Sequence, residues 1–249
     1  MTMLEVRGVS KRFGRLQAVN GVSMSVATRE LRAIIGPNGA GKTTFFNMIS
    51  GYFAPTTGEI LLEGVPITHL AAAKRVKRGM ARTFQVTEVF PDLTVRDNVR
   101  IAAETAAGLR LQLLASKSVA TQIQRDVNAV LAATSLGEKE HRMVGELSHG
   151  EQRATEIAMA LALKPRLLLL DEPTAGMGDQ ETRDIVRLIA QLHRVNDLTV
   201  VLIEHDMRVV FHLAHRITVL DRGALLAEGT PQEIAANDQV QAAYLGKAA

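Results

Sequence analysis

One stretch restricts this chain more than any other: Gly36-Pro37-Asn38-Gly39-Ala40-Gly41-Lys42-Thr43-Thr44. Its first eight residues fit the spacing G-x-x-x-x-G-K-[ST]. It follows the short apolar run Leu31 to Ile35 and precedes a helical stretch through Phe45, Phe46 and Met48 that reaches Gly51. Strand, glycine-rich loop, helix is the local order of a phosphate-binding α/β unit. The glycines let successive backbone N–H groups face phosphate oxygens, and the helix start adds the positive end of its dipole. Lys42 is placed to neutralise the terminal phosphates, and the Thr43 hydroxyl to ligate Mg²⁺. Gly36 through Thr44 are therefore the candidate ATP-binding residues. The loop specifies a nucleotide, but not the machine that uses it.

The surrounding pattern is α/β. Leu4 and Val6, then Val22, Met24 and Val26, alternate as strands do, and the turn Pro55 to Gly58 precedes a strand over Glu59 to Leu62. The middle changes period. Thr94 and Asp97 predict a capping box ahead of a helix through Val99 and Ile101. Ile123, Val127, Val130 and Leu131 then form a helical stripe closed by Gly137. Alternation returns with strands at Leu167–Leu170, Thr199–Ile203, Ile217–Leu220 and Ala224–Ala227, and with helices through Ile185–Leu192 and Met207–Ala214. Thr230, Pro231 and Glu233 combine N-cap, first-turn proline and capping acid for a terminal helix. The expectation is one domain over 1–249: a core from 1–85 and 162–249 with a C-terminal helix, and a helical subdomain over 86–161.

A second motif completes the chemistry. In Leu167-Leu168-Leu169-Leu170-Asp171-Glu172 an apolar strand ends in a carboxylate. At the carboxyl edge of a parallel sheet, beside the phosphate loop, Asp171 can hold Mg²⁺ through water. Glu172 can reach a water in line with the γ-phosphate, as general base or positioning group. Acids at a helix start, favoured by its dipole, are the plainer reading of such a pair.

Composition removes competing classes. The 249 residues include no cysteine, which excludes disulfides and thiol chemistry. A formal charge of +3 selects no polyanionic partner, and with 4% aromatic residues there are few stacking platforms for nucleic acid. No nucleic-acid partner is expected. No stretch reaches the roughly 18 apolar residues of a membrane span, and the first residues lack a signal-peptide core.

Leu147-Ser148-His149-Gly150-Glu151-Gln152 resembles the LSGGQ-like signature of the ATP-binding subunits of ABC transporters. The resemblance covers residues 4 to 246 and implies the P-loop NTPase fold with a RecA-like core, a mixed sheet and an inserted helical subdomain. It implies that Ser148, Gly150 and Glu151 meet ATP held by the loop of an opposing subunit, a homodimer or paralogue partner. Gln85 in ARTFQ matches the glutamine that contacts Mg²⁺ and water, His205 in LIEHD the γ-phosphate switch histidine, and Phe13 in KRFG the aromatic that stacks on adenine. Taken singly these are a loop residue, a satisfied polar residue and a core aromatic. The implied activity is ATP hydrolysis coupled to transport through membrane-spanning permease subunits, with a solute-binding protein acting indirectly. The implied place is the cytoplasmic face of the inner membrane.

LSHGEQ, the AGMG stretch (Ala175 to Gly178), the helical insertion near Gly108 to Gln124 and the ending EGTPQEIAANDQVQAAYLG are similar to importers of branched-chain amino acids, urea or amides. Exporter or lipid-extraction ATPases remain an alternative, and a non-transport ABC protein a further one. Two positions depart from the pattern: His149 replaces a signature glycine, and Gly178 stands where an aspartate is usual. Phe90 and Leu93 are candidate apolar anchors for a permease helix, or subdomain core. Lys74, Arg75, Lys77 and Arg78 read as a solvated helix face or a lipid-headgroup contact.

Overall fold

The first two strands run long because their apolar residues alternate almost without interruption: β1 (Thr2–Phe13) and β2 (Leu16–Ala27) pair antiparallel, with Leu4 opposite Val26 and Val6 opposite Met24. The structure is a computed structural model describing residues 1–83, 89–108, 117–195 and 197–245. The chain continues through β3 (Leu31–Ile35), α1 (Lys42–Ser50), β4 (Thr57–Leu62), β5 (Val65–Pro66), α2 (Ala72–Val76) and β6 (Met80–Arg82). Helices α3 (Val95–Ala106), α4 (Lys117–Ala133) and α5 (His149–Ala162) follow. Then β7 (Leu167–Asp171), α6 (Asp179–Val195), β8 (Thr199–Ile203), α7 (Met207–Leu213), β9 (Arg216–Asp221) and β10 (Ala224–Gly229) alternate, before α8 (Pro231–Ala235) and α9 (Asp238–Leu245). These elements fall into two compact units, Met1–Arg78 with Leu198–Ala249, and Gly79–Asp197.

The first unit holds two sheets. One is antiparallel, in the order β2-β1-β4-β5. In the other, β3 runs parallel to both β8 and β9, and β10 closes antiparallel on β9. All five residues of β3 and of β8 are buried, as expected of strands covered on both faces. Helix α1 buries Phe45, Phe46, Met48 and Ile49 completely. That packing fixes the helix whose first turn carries Lys42 and Thr43.

Arg75 overturns its sequence expectation. It is 1% exposed, not part of a solvated face. Its Nη1 donates to the Met48 and Ile49 carbonyls (2.8 and 2.7 Å), Nε to Leu70 O (2.8 Å) and Nη2 to Thr68 O (2.9 Å). The guanidinium thus caps the carbonyl end of α1, where the dipole favours a cation. Burial pushes its pKa down to about 10, which leaves it charged at neutral pH. Alternation cannot reveal this, because in the sequence a cation that reaches inward is identical to one that faces water.

In the second unit β6 pairs parallel with β7. Val95, Val99, Ala102 and Ala103 of α3, Ile123, Val127 and Leu131 of α4, and Ile157 and Ala158 of α5 form the helical core. Helix α4 stops at Ala133, short of Gly137: Ser135 takes a left-handed φ of 57°, and Gly137 opens a 3-10 turn. At α3 the predicted capping box is half formed. The Thr94 oxygen accepts the Asp97 N–H (3.1 Å), but Asp97 Oδ2 accepts from the Thr94 hydroxyl (2.6 Å) and not from the Thr94 backbone N–H. Aspartate is one methylene shorter than the glutamate that such a box favours. Among the described residues no helix is long and apolar enough to cross a membrane.

Candidate active site

Two glycines of the phosphate loop are required by what surrounds them. At Gly36 (φ 150°) a Cβ would lie 2.1 Å from the Leu220 carbonyl oxygen, and at Gly41 (φ 91°) 2.4 Å from that of Ala18. The loop closes through Ala40 N–H to Pro37 O (3.1 Å). It wraps the Lys42 ammonium, which donates to the Gly36 and Pro37 carbonyls at 2.7 and 3.0 Å and is 6% exposed. Asn38, Gly39 and Thr43 are exposed, Thr44 half-buried. Helix α1 starts from left-handed Gly41 with no side-chain cap and no acid in its first turn. A buried ammonium beside such a helix start makes an anion site.

Phe13, at the end of β1, is 46% exposed and so is not core. Phe53 meets it edge-on at 5.5 Å and 90°. Lys11 Nζ lies 5.3 Å from the Phe13 centroid and 4.7 Å from that of Phe53, and donates to Ala54 O (2.7 Å). These neighbours hold the Phe13 ring while leaving part of it open to stack.

His205 is exposed just beyond β8. The preceding Glu204, 3% exposed, accepts the backbone N–H groups of His205 (2.9 Å) and Asp206 (3.4 Å) on Oε2. Asp206 caps α7 by accepting the Arg208 N–H (2.8 Å), and the Arg208 side chain holds its carboxyl below the usual range. The imidazole therefore projects from a stiff corner.

In the second unit Asp171 ends β7 at 1% exposure. Burial pushes its pKa up, while Arg82, whose Nη2 lies 2.7 Å from Oδ2, opposes that rise. Glu172 follows at φ 47°, a left-handed conformation costing about 1–3 kcal/mol for a side-chain-bearing residue. Its carbonyl is held by Ala175 N–H (3.1 Å) and by Nη2 of buried Arg153 (3.2 Å). Strain of this kind re-aims a side chain at the end of a strand.

The signature segment starts α5 with a complete capping box. Glu151 N–H donates to Ser148 Oγ (3.3 Å), and Ser148 N–H donates to Glu151 Oε2 (2.9 Å). Glu151 is also ion-paired with Lys139, so its carboxylate is engaged within its own chain. The Gly150 N–H donates to Glu181 Oε1 at 3.0 Å. Gln85, expected at the Mg²⁺ ion, lies outside the described residues.

The first unit thus carries the loop, the Phe13 platform and His205, and the second carries Asp171, Glu172 and the signature. Sequence reasoning missed Arg82, Arg153, Glu181, Glu204 and Phe53. Arg82 stands in the same ARTFQ stretch as Gln85 and Glu204 beside His205, so adjacency was a usable signal for both. Nothing linear pointed to Glu181.

A family model described as ABC transporter matches residues 19–175, and one described as branched-chain amino acid ATP-binding cassette transporter matches 224–249. The chain is 41% identical to the high-affinity branched-chain amino acid transport ATP-binding protein BraF of Pseudomonas aeruginosa, over 99% of this chain and 98% of that protein. It is 39% identical to LivG of Escherichia coli K12, which carries the same description, over 99% and 98%. Among solved structures, the ADP conformation of an ATP-binding cassette of an ABC transporter superposes with a TM-score of 0.87 at 26% identity, covering 99% of this chain and 100% of that one. A dimeric post-hydrolysis cassette bound to ADP and phosphate matches with a TM-score of 0.76 at 25% identity, over 92% and 99%.

Proposed function

The chain belongs to the ABC transporter family, and from that premise we propose that it is the ATPase subunit of an importer for branched-chain amino acids. The single observation that supports the solute most is the match of residues 224–249 to the branched-chain amino acid cassette family, added to near full-length identity with BraF. The chain is an ATP-binding, ATP-hydrolysing subunit that energises a transporter.

The roles are those that the family resemblance implies, and the local chemistry suits them. Gly36 to Thr44 and Lys42 bind the phosphates, and Phe13 stacks on adenine. Glu172 orients and deprotonates the attacking water, and His205 hydrogen-bonds the γ-phosphate. The Thr43 hydroxyl and the buried Asp171 carboxylate are hard oxygen donors that suit Mg²⁺, with Gln85 as a further ligand. Asp171 Oδ2 holds the Arg82 guanidinium at 2.7 Å, so Mg²⁺ would share this carboxylate with a cation already beside it. Bound there, Mg²⁺ would supply charge neutralisation at the phosphates. Ser148, Gly150 and Glu151 face ATP carried by a second ATP-binding subunit. Pairing and release then drive the permease subunits at the cytoplasmic face of the membrane. Phe90, 48% exposed, is the apolar anchor we assign to the permease contact.

The test is reconstitution in proteoliposomes with permease subunits and a solute-binding protein. ATP-driven uptake of leucine, isoleucine or valine is expected, lost with Glu172→Gln while ATP still binds. Uptake of another solute and none of these three would overturn the proposed cargo. Parental hydrolysis by Glu172→Gln would overturn the general-base role.

A further inference from the structure

We propose that the Glu181 carboxylate is a built-in stand-in for phosphate, seated on the signature helix of the single chain and displaced when a second chain brings ATP. This inference rests on the two-chain reading above. Glu181 lies in the first turn of α6, and its Oε1 takes the Gly150 N–H at 3.0 Å. The Ser148 side chain and the Gly178 backbone lie near the same carboxylate, and together with the Gly150 N–H they hold it below the usual carboxylate range. Gly150 and Ser148 are also groups assigned to the partner's phosphate.

A carboxylate and a phosphate oxygen meet the same need at a helix start, namely negative charge on N–H groups and on the positive dipole end. The two cannot share the donors. Arrival of the phosphate must therefore turn Glu181 away, and the fold leaves room for it. A cavity of about 460 Å³ is lined by Ser148, Gly150, Glu181, Asp184 and Gln191, among others. Gly150 has no such latitude, since a Cβ there would already lie 3.1–3.2 Å from the Glu181 side chain. Glu181 is a positioning residue in this account; it does not touch the reacting atoms.

The experiment titrates Mg-ATP against the Glu172→Gln chain and follows pairing by light scattering. Adding Glu181→Gln or Glu181→Ala should lower the ATP concentration for half-maximal pairing by about 5-fold, the scale of one ordinary net hydrogen bond. Nucleotide affinity of the dilute, unpaired chain should not move. An unchanged or raised ATP requirement for pairing would overturn the proposal and make Glu181 a support for the donors. Should Glu181→Ala melt early, the isosteric Glu181→Gln carries the test. A Glu172→Gln chain that never pairs at saturating Mg-ATP overturns the pairing reading itself, and this inference with it.

Discussion

Two helix starts in this molecule are built in opposite ways. Helix α1 begins at a left-handed glycine with no side-chain cap and no acid in its first turn. Helix α5 begins at Ser148 with both halves of a capping box, and a second carboxyl, Glu181, lies on Gly150. Both carry a dipole that attracts anions. The first start is left to a ligand and braced by a buried ammonium, whereas the second is satisfied by the chain's own acids. The difference teaches that α1 has no internal carboxylate to displace, while α5 must exchange an internal anion for an external one. Such an exchange makes the second contact conditional on a partner.

Closing the open start should have the largest effect. Gly41→Ala forces a Cβ to 2.4 Å from Ala18 O at φ 91°. ATP affinity should fall by about 2–3 kcal/mol, on the order of 100-fold, read by fluorescent-nucleotide titration. Parental affinity would show that the start tolerates a side chain, and the contrast with α5 would fail. The next effect comes from the far end of the same helix. Arg75→Ala leaves the Met48 and Ile49 carbonyls without their buried donor and should cost about 1–3 kcal/mol in denaturant unfolding. A loss near zero would mean that α1 is held by its apolar face alone.

Phe13→Ala should weaken ATP binding by about 1–3 kcal/mol and leave folding intact, since the ring is half exposed. Equal affinity in a folded variant would remove the platform from the open site. The smallest effect belongs to the filled start. Lys139→Ala removes the ion pair to Glu151 and should cost no more than about 0.5 kcal/mol. Lys139 holds the Glu151 carboxyl below its usual value. The stabilisation is therefore present above the unfolded carboxylate pKa and lost as pH falls through the lowered folded one. Thermal melts from neutral to acid pH should show the wild-type advantage fading; an advantage that grows on acidification would contradict the assignment.

Much of this was legible in the sequence because it is local. The phosphate loop, the apolar strand ahead of Asp171 and the Ser148 cap each occupy a few consecutive residues whose geometry follows from residue type and spacing. The strand pattern likewise marked β3, β7, β8 and β9 within a residue or two. What escaped was set by packing across the chain. Glu181 is 31 residues from Gly150, and Arg82 is 89 from Asp171, so no period or motif links them. Arg75 was read as solvated because it stands in a run of cations with Lys74, Lys77 and Arg78; those three are exposed, and only the folded helix end discloses why Arg75 turns inward. The single terminal helix expected after Thr230 is two, α8 and α9, with Ala236 and Asn237 between them.

The central claim is that the open start of one chain and the filled start of another make one catalytic site. Mixing two inactive variants tests it directly. Lys42→Ala removes the ammonium at α1, and Ser148→Asp keeps an N-cap acceptor for α5 while placing negative charge where the partner's phosphate is to land. A mixed pair then contains one site with both halves intact. The account predicts phosphate release from the mixture at a rate that neither variant reaches alone. A mixture as inactive as its components, with mixed pairs formed, would contradict it.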